Sequence, residues 1–250
     1  MTKRLSGLGF LIALLFLFLT ACQVVRTPTP RPASKRQVAP RATPHDTPLL
    51  RHYPRVLFIG DDISTLPVGA NAGDHFQDQV MAQLRAQDPL SATQSYLFDA
   101  MPGIRAGDVI SQLIEAPPSD LVIVNLGMND FGQGGAQPST LSAFTAGYER
   151  ILREALKASP NAQLVCLTVW DNPRYINSLL FPASSYDAAI TLACQQASKN
   201  SRVIDVAATI VSATGQTPQA DAGSSQSDGY LPNQENDDII ARALVRSLEA

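Results

Sequence analysis

From residue 56 onward, apolar positions fall into two alternating patterns. Short, continuously apolar runs occupy Val56–Ile59, Ser95–Phe98, Leu121–Leu126, Leu164–Val169 and Val203–Val206. Strands that bury both faces read this way, whereas a half-exposed strand alternates. Between the runs lie segments whose apolar residues recur at helical spacing: His75–Gln87, Gly107–Glu115, Leu141–Ala158, Tyr186–Lys199 and Gln234–Leu248. Five strands alternating with five helices predict an α/β fold. We expect a doubly wound, three-layer α/β/α sandwich around a five-stranded parallel sheet, of the flavodoxin-like class. In such sheets ligands bind beyond the carboxyl ends of the strands. The loops after strands one, two and three, and the loop before the last helix, are therefore where chemistry is expected.

The first 55 residues follow neither pattern. Lys3 and Arg4 precede an apolar stretch from Leu8 to Leu19, which is shorter than the roughly 20 residues a spanning helix needs. It ends in Leu19-Thr20-Ala21-Cys22, which resembles the lipobox of bacterial lipoproteins. That resemblance implies a signal peptide over 1–21, cleavage before Cys22 and diacylation of that cysteine, with the bilayer as partner. Two acyl chains suffice for stable anchoring. An ordinary secretory signal and an uncleaved anchor helix are the other readings of the same stretch. Residues 22–55 then read as a tether. Seven prolines lie between Gln23 and Arg55, in a run too poor in apolar residues to fold, with a reach of order 100 Å. It carries seven basic residues against Asp46 alone. Such a segment suits anionic headgroups or acidic wall polymers, or serves only solubility.

This division changes the meaning of the overall charge. The whole chain has a net charge of −3, but residues 56–250 hold ten basic and 21 acidic residues, a net of −11. A domain so acidic argues against a nucleic acid partner. Three cysteines are too few for a disulfide scaffold or a cysteine-rich metal module. Cys166 and Cys194 read as buried free thiols, with a disulfide between them open in an exported protein. Only three histidines are present, at 45, 52 and 75.

The loops at the expected site read Gly60-Asp61-Asp62-Ile63-Ser64, Ala100-Met101-Pro102-Gly103, Gly127-Met128-Asn129-Asp130 and Asp228-Gly229-Tyr230-Leu231-Pro232-Asn233. In order, spacing and flanking strands this set resembles the SGNH (GDSL-type) hydrolases over nearly all of 56–250. The resemblance implies that family's fold and an ester-hydrolase ancestry. In the family, the first block supplies a serine nucleophile. The oxyanion hole comes from the serine amide, a second-block glycine and the third-block asparagine. The last block supplies a general-base histidine with its aspartate. A hydroxyl is a weak nucleophile until a base removes its proton, and the tetrahedral intermediate needs fixed donors.

Position by position, Gly103, Asn129 and Asp228 match. The nucleophile position is Asp62, however, and the histidine position is Leu231. Losing base assistance alone costs about 3–5 kcal/mol of barrier lowering. A carboxylate at 62 also places negative charge where an oxyanion would develop. The expected outcome is a membrane-anchored, extracytoplasmic protein with ester hydrolysis very slow or absent, binding an acyl or glycan ligand. Two rivals stay open: an active hydrolase using Asp62 with Asp228 or His75 unconventionally, and a scaffold lipoprotein with a vestigial cleft. His45 and His52 precede the first strand and are not expected to reach the site. His75 and Ser64 read first as local structure.

No cofactor is implied and no metal is assigned. Asp61, Asp62, Asn129, Asp130 and Asp228 could together hold a hard cation such as Ca²⁺, but Asp61 and Asp130 read first as turn and cap residues. The stretch from Asn172 to Ser185 reads as a lid, a cleft wall or a packed loop. Gly132-Gln133-Gly134-Gly135 is too short a run for a phosphate cradle. Protein partners are not indicated.

Overall fold

The computed structural model describes residues 51–61, 76–98 (backbone only at 96–98), 104–108, 117–132, 139–169, 182–216 and 233–249. All of them lie in the second of the chain's two units, Asp46–Ala250. Five strands form one sheet: β1 (Arg55–Gly60), β2 (Gln94–Phe98), β3 (Leu121–Asn125), β4 (Gln163–Leu167) and β5 (Ser201–Ile204). Every pairing is parallel, in the order β2-β1-β3-β4-β5. Val56 stands opposite both Ser95 and Leu121. β3 and β4 are buried at every position, which is why the sequence shows continuous apolar runs there.

The described helices are α1 (Phe76–Gln87), α2 (Met128–Phe131), α3 (Leu141–Ala158), α4 (Ala183–Ala197), α5 (Val206–Thr214) and α6 (Gln234–Ser247). α1 packs on α6, and α3 packs on α4, giving the two outer layers. The chain runs one way from β1 to β2, then returns past β1 to β3. The crevice between the ends of β1 and β3 is therefore the switch point of this sheet.

Two helices depart from the sequence reading. The last strand run was expected to reach Val206, but Asp205 ends it and starts α5. Its side chain accepts from the Ala208 amide at 2.8 Å, so the cap outweighs the β-branched residues that follow. The helix expected from Gly107 does not begin there. Ala106–Asp108 form a turn closed by the Asp108 amide on the Arg105 carbonyl at 2.9 Å, and residues 109–116 lie outside the described residues. The signal peptide, Cys22, the tether to residue 50 and the Trp170–Phe181 stretch also lie outside them.

The chain is already docked at Arg51. His52 Nδ1 lies 2.6 Å from Asp88 Oδ2 just beyond the end of α1, and Arg51 donates to the Asn161 carbonyl at 2.5 Å. Hydrogen bonds from His52 and then Ser91 hold the Asp88 carboxyl down to about 2. Ser91 Oγ accepts from the Tyr53 amide, and Arg55 grips Asp120 through Nε and Nη2, each at 3.0 Å. These contacts gather at the amino edge of the sheet. They place His52 at the opposite end of the strands from the switch point.

Cys166 on β4 and Cys194 on α4 are joined by a disulfide, which corrects the reading as free thiols. The bridge ties the sheet to the outer layer across a sequence separation of 28. A second buried feature is less favourable. Asp237, in the first turns of α6, is fully buried, and among the described residues neither carboxylate oxygen has a hydrogen-bond partner. Burial alone pushes its pKa well above the ordinary carboxylate range.

Two stability measurements follow. Closing a loop of this length contributes roughly 3–4 kcal/mol in the chain-entropy description, so Cys194→Ala should lower the urea midpoint accordingly. For Asp237 the unfolded chain ionises first. Its contribution is therefore most favourable below about pH 4 and declines as pH rises from there. Asp237→Asn should raise stability, and by more at pH 8 than at pH 4.5. An equal gain at both pH values would contradict the burial argument.

Candidate active site

The switch point is built by two strand ends that hold each other. β1 runs into Asp61, whose amide donates to the Asn125 carbonyl at 3.1 Å. Its carboxylate turns back, and Oδ2 accepts from the Met128 amide at 3.0 Å. Asp61 is completely buried. The short apolar strand thus ends on a carboxylate that fixes the start of α2, as the turn-and-cap reading expected.

α2 starts immediately after Gly127, whose φ of 128° is one that side-chain-bearing residues rarely adopt. A Cβ there would also stand 3.1 Å from Val169 Cγ2. This bend carries Asn129 into the fold at 1% exposure, and among the described residues its Nδ2 has no hydrogen-bond partner. Leaving a buried donor unpaired costs about 1–3 kcal/mol. Such a group can donate to a ligand oxygen, whether a carbonyl or an oxyanion, without first breaking an internal bond.

The neighbouring Asp130 is committed elsewhere. Its Oδ2 accepts from the Ala106 amide at 2.8 Å and its Oδ1 from Ser139 Oγ at 2.6 Å. Burial raises its pKa, partly offset by the bonds to Ser139 and Ala106. Tyr186 on α4 donates to the Ser139 carbonyl at 2.7 Å, and its ring lies against Phe131 and Phe144. The Tyr186 hydroxyl is shifted upward by burial first and by Asp130 second. Ser139 and Tyr186 were not singled out in the sequence, where neither stands in a motif. Gly147 was missed too, though a glycine inside a helical pattern is itself a packing signal.

Of the residues assigned to the site, the structure brings Asn129 to the switch point beside the Asp61 junction. Asp62, Gly103, Asp228 and Leu231 lie outside the described residues, as do Ser64 and His75. Among the described residues, no group of three His, Cys, Asp or Glu side chains could hold a metal ion. Asp61 and Asp130, both part of the cation cluster considered from sequence, spend their carboxylates on backbone amides.

Comparisons with known proteins agree with this architecture. A family model described as the GDSL-like lipase/acylhydrolase family matches residues 58–238. No curated protein sequence matches the chain. Among solved structures, a lipase/acylhydrolase from Enterococcus faecalis is similar, with a TM-score of 0.58 at 18% identity, covering 78% of this chain and 95% of that one. An acetylxylan esterase from Geobacillus stearothermophilus has a TM-score of 0.55 at 17% identity, with 80% and 95% covered. A psychrotrophic esterase from Pseudoalteromonas sp. has a TM-score of 0.54 at 16% identity, with 78% and 96% covered. At such identities the structures speak for the fold. The family model covers well over half of the chain, strand ends and Asn129 included, and on that ground the protein belongs to the GDSL-like lipase/acylhydrolase family.

Proposed function

We propose that this protein is a membrane-tethered, extracytoplasmic GDSL-family protein that binds an acyl or glycan ligand and has lost ordinary ester hydrolysis. The observation that carries this reading is the buried, unpartnered Nδ2 of Asn129. A chain that had abandoned oxygen binding would gain stability by filling this position with an apolar side chain, which supports reading the donor as part of a ligand site. The loss of hydrolysis rests on sequence. Asp62 stands at the nucleophile position and Leu231 at that of the base. Asp62 could attack an ester only by forming an anhydride, and no histidine in the motif would activate the water needed to release it. His52 is paired with Asp88 at the other end of the sheet.

The class of ligand follows from the donor and from the company the fold keeps. An amide N–H suits a carbonyl or hydroxyl oxygen, and the similar structures include a lipase/acylhydrolase and an acetylxylan esterase. The compartment is supported by the Cys166–Cys194 disulfide, since such bonds persist in oxidising surroundings and are rare in the cytosol of mesophiles. Cys22 is the anchor in this reading.

The decisive measurement compares the natural full chain with an Asp62→Ser/Leu231→His variant on short acyl esters. The natural chain should show no turnover above background, and the double variant should hydrolyse. Adding Asn129→Ala to the double variant should lower kcat by about 10²–10³-fold, the usual effect of losing one oxyanion donor. Turnover by the natural chain that Asp62→Ala abolishes would overturn the reading. In cells, Cys22→Ser should move the protein from the membrane to the soluble fraction.

A further inference from the structure

The chain that leaves the Met101-Pro102-Gly103 motif is gripped from two sides only three residues later. On one side stands Asp130, directly beside Asn129. It accepts from the Ala106 amide at 2.8 Å and from Ser139 Oγ at 2.6 Å, while its own carbonyl accepts from the Ser139 amide at 2.7 Å. On the other side lies α3. It comes so near at Gly147 that a Cβ there would stand 2.9 Å from the Gly107 nitrogen and 3.1 Å from the Ala106 carbonyl carbon. Both neighbours are backbone atoms and cannot swing aside as a side chain would. Ala106 is fully buried between them.

The grip is braced from outside. Tyr186 donates to the Ser139 carbonyl at 2.7 Å, and its ring is 5.6 Å from that of Phe131, the residue that ends α2, and 5.1 Å from that of Phe144 on α3. Asn129, Asp130 and Phe131 are consecutive, so one turn carries the free donor, the carboxylate that holds the loop and a ring that packs on the brace. A helix-interior glycine costs about 1 kcal/mol relative to alanine. Two neighbouring segments therefore need that cost at 147 in order to approach.

We propose that Asp130 and Gly147 are positioning residues that set the register between the Asn129 amide and the segment leaving the second motif. Neither touches a ligand; each acts through the 104–107 backbone. This rests on the reading of Asn129 as the ligand-oxygen donor. On that reading, moving the Asn129 turn by about an ångström is enough to spoil its hydrogen bond to a ligand oxygen.

The test has two arms, so the two ideas fail separately. In the natural full chain, the Asn129 side-chain amide signal, assigned by its disappearance in Asn129→Ala, is followed by NMR. Gly147→Ala should shift it, whereas Arg153→Ala, at an exposed position of the same helix, should not. No shift with Gly147→Ala overturns the proposal, whatever happens to stability. In the Asp62→Ser/Leu231→His chain, Gly147→Ala and Asp130→Ala should each lower kcat about 10–100-fold with KM unchanged, while Asp130→Asn, which still offers the Ala106 amide an acceptor, recovers most of the rate. A fall in melting temperature with unchanged kcat per folded molecule also overturns it. If that chain hydrolyses nothing, the functional reading fails, and the NMR arm still decides the positioning role.

Discussion

A parallel sheet covered on both faces can turn its chain only beyond the strand ends, and the backbone amides released there are buried. Each must find an acceptor that does not come from the ladder. In this protein side chains meet that need at the carboxyl edge. Asp61 holds the Met128 amide, Asp130 that of Ala106, Asp187 that of Val169 and Thr168 that of Val206. The first two set the site. They fix where β1 ends, where α2 begins and where the neighbouring loop passes, and they leave Asn129 as the side chain on that turn with a donor unspent.

That division of labour accounts for the carboxylates of Asp61 and Asp130, which are spent on backbone amides of the fold. A carboxylate with two of its lone-pair directions filled by N–H and O–H donors is satisfied, and bringing a cation to it would mean giving up fold contacts. It also separates scaffold from chemistry. The groups that shape the switch point stabilise the strand ends whether or not an ester is ever cleaved, so they are compatible with the proposed loss of the nucleophile and base. The chain thus keeps the architecture of its family, and in the proposed reading it does so with altered residues at the nucleophile and base positions.

Much of this was legible in the sequence, for identifiable reasons. Continuous apolar runs gave away the buried strands, and α3 over Leu141–Ala158 matches its expected bounds because its apolar stripe and its Thr140 cap agree. The Asn129 turn was legible because Gly127, Asn129 and Asp130 follow a strand directly. Elsewhere local and distant signals conflicted. The β-branched residues after Asp205 resemble a strand more than a helix, and only the cap interaction decides between them. The Cys166–Cys194 bridge joins a strand to a helix through geometry that spacing cannot reveal. The role of Gly147 depends on what a distant loop brings against it.

The docking of Arg51–Arg55 has a mechanical consequence. These residues feed straight into β1, a central strand hydrogen-bonded to β2 on one side and β3 on the other. A tug on the N-terminal segment meets the His52–Asp88 and Arg55–Asp120 pairs first, then runs along the strand axis. Two ladders are loaded together in shear, instead of being peeled apart one bond at a time. A pull applied at Arg51 would thus load a strand paired on both sides, with Asn129 at the other end of the sheet.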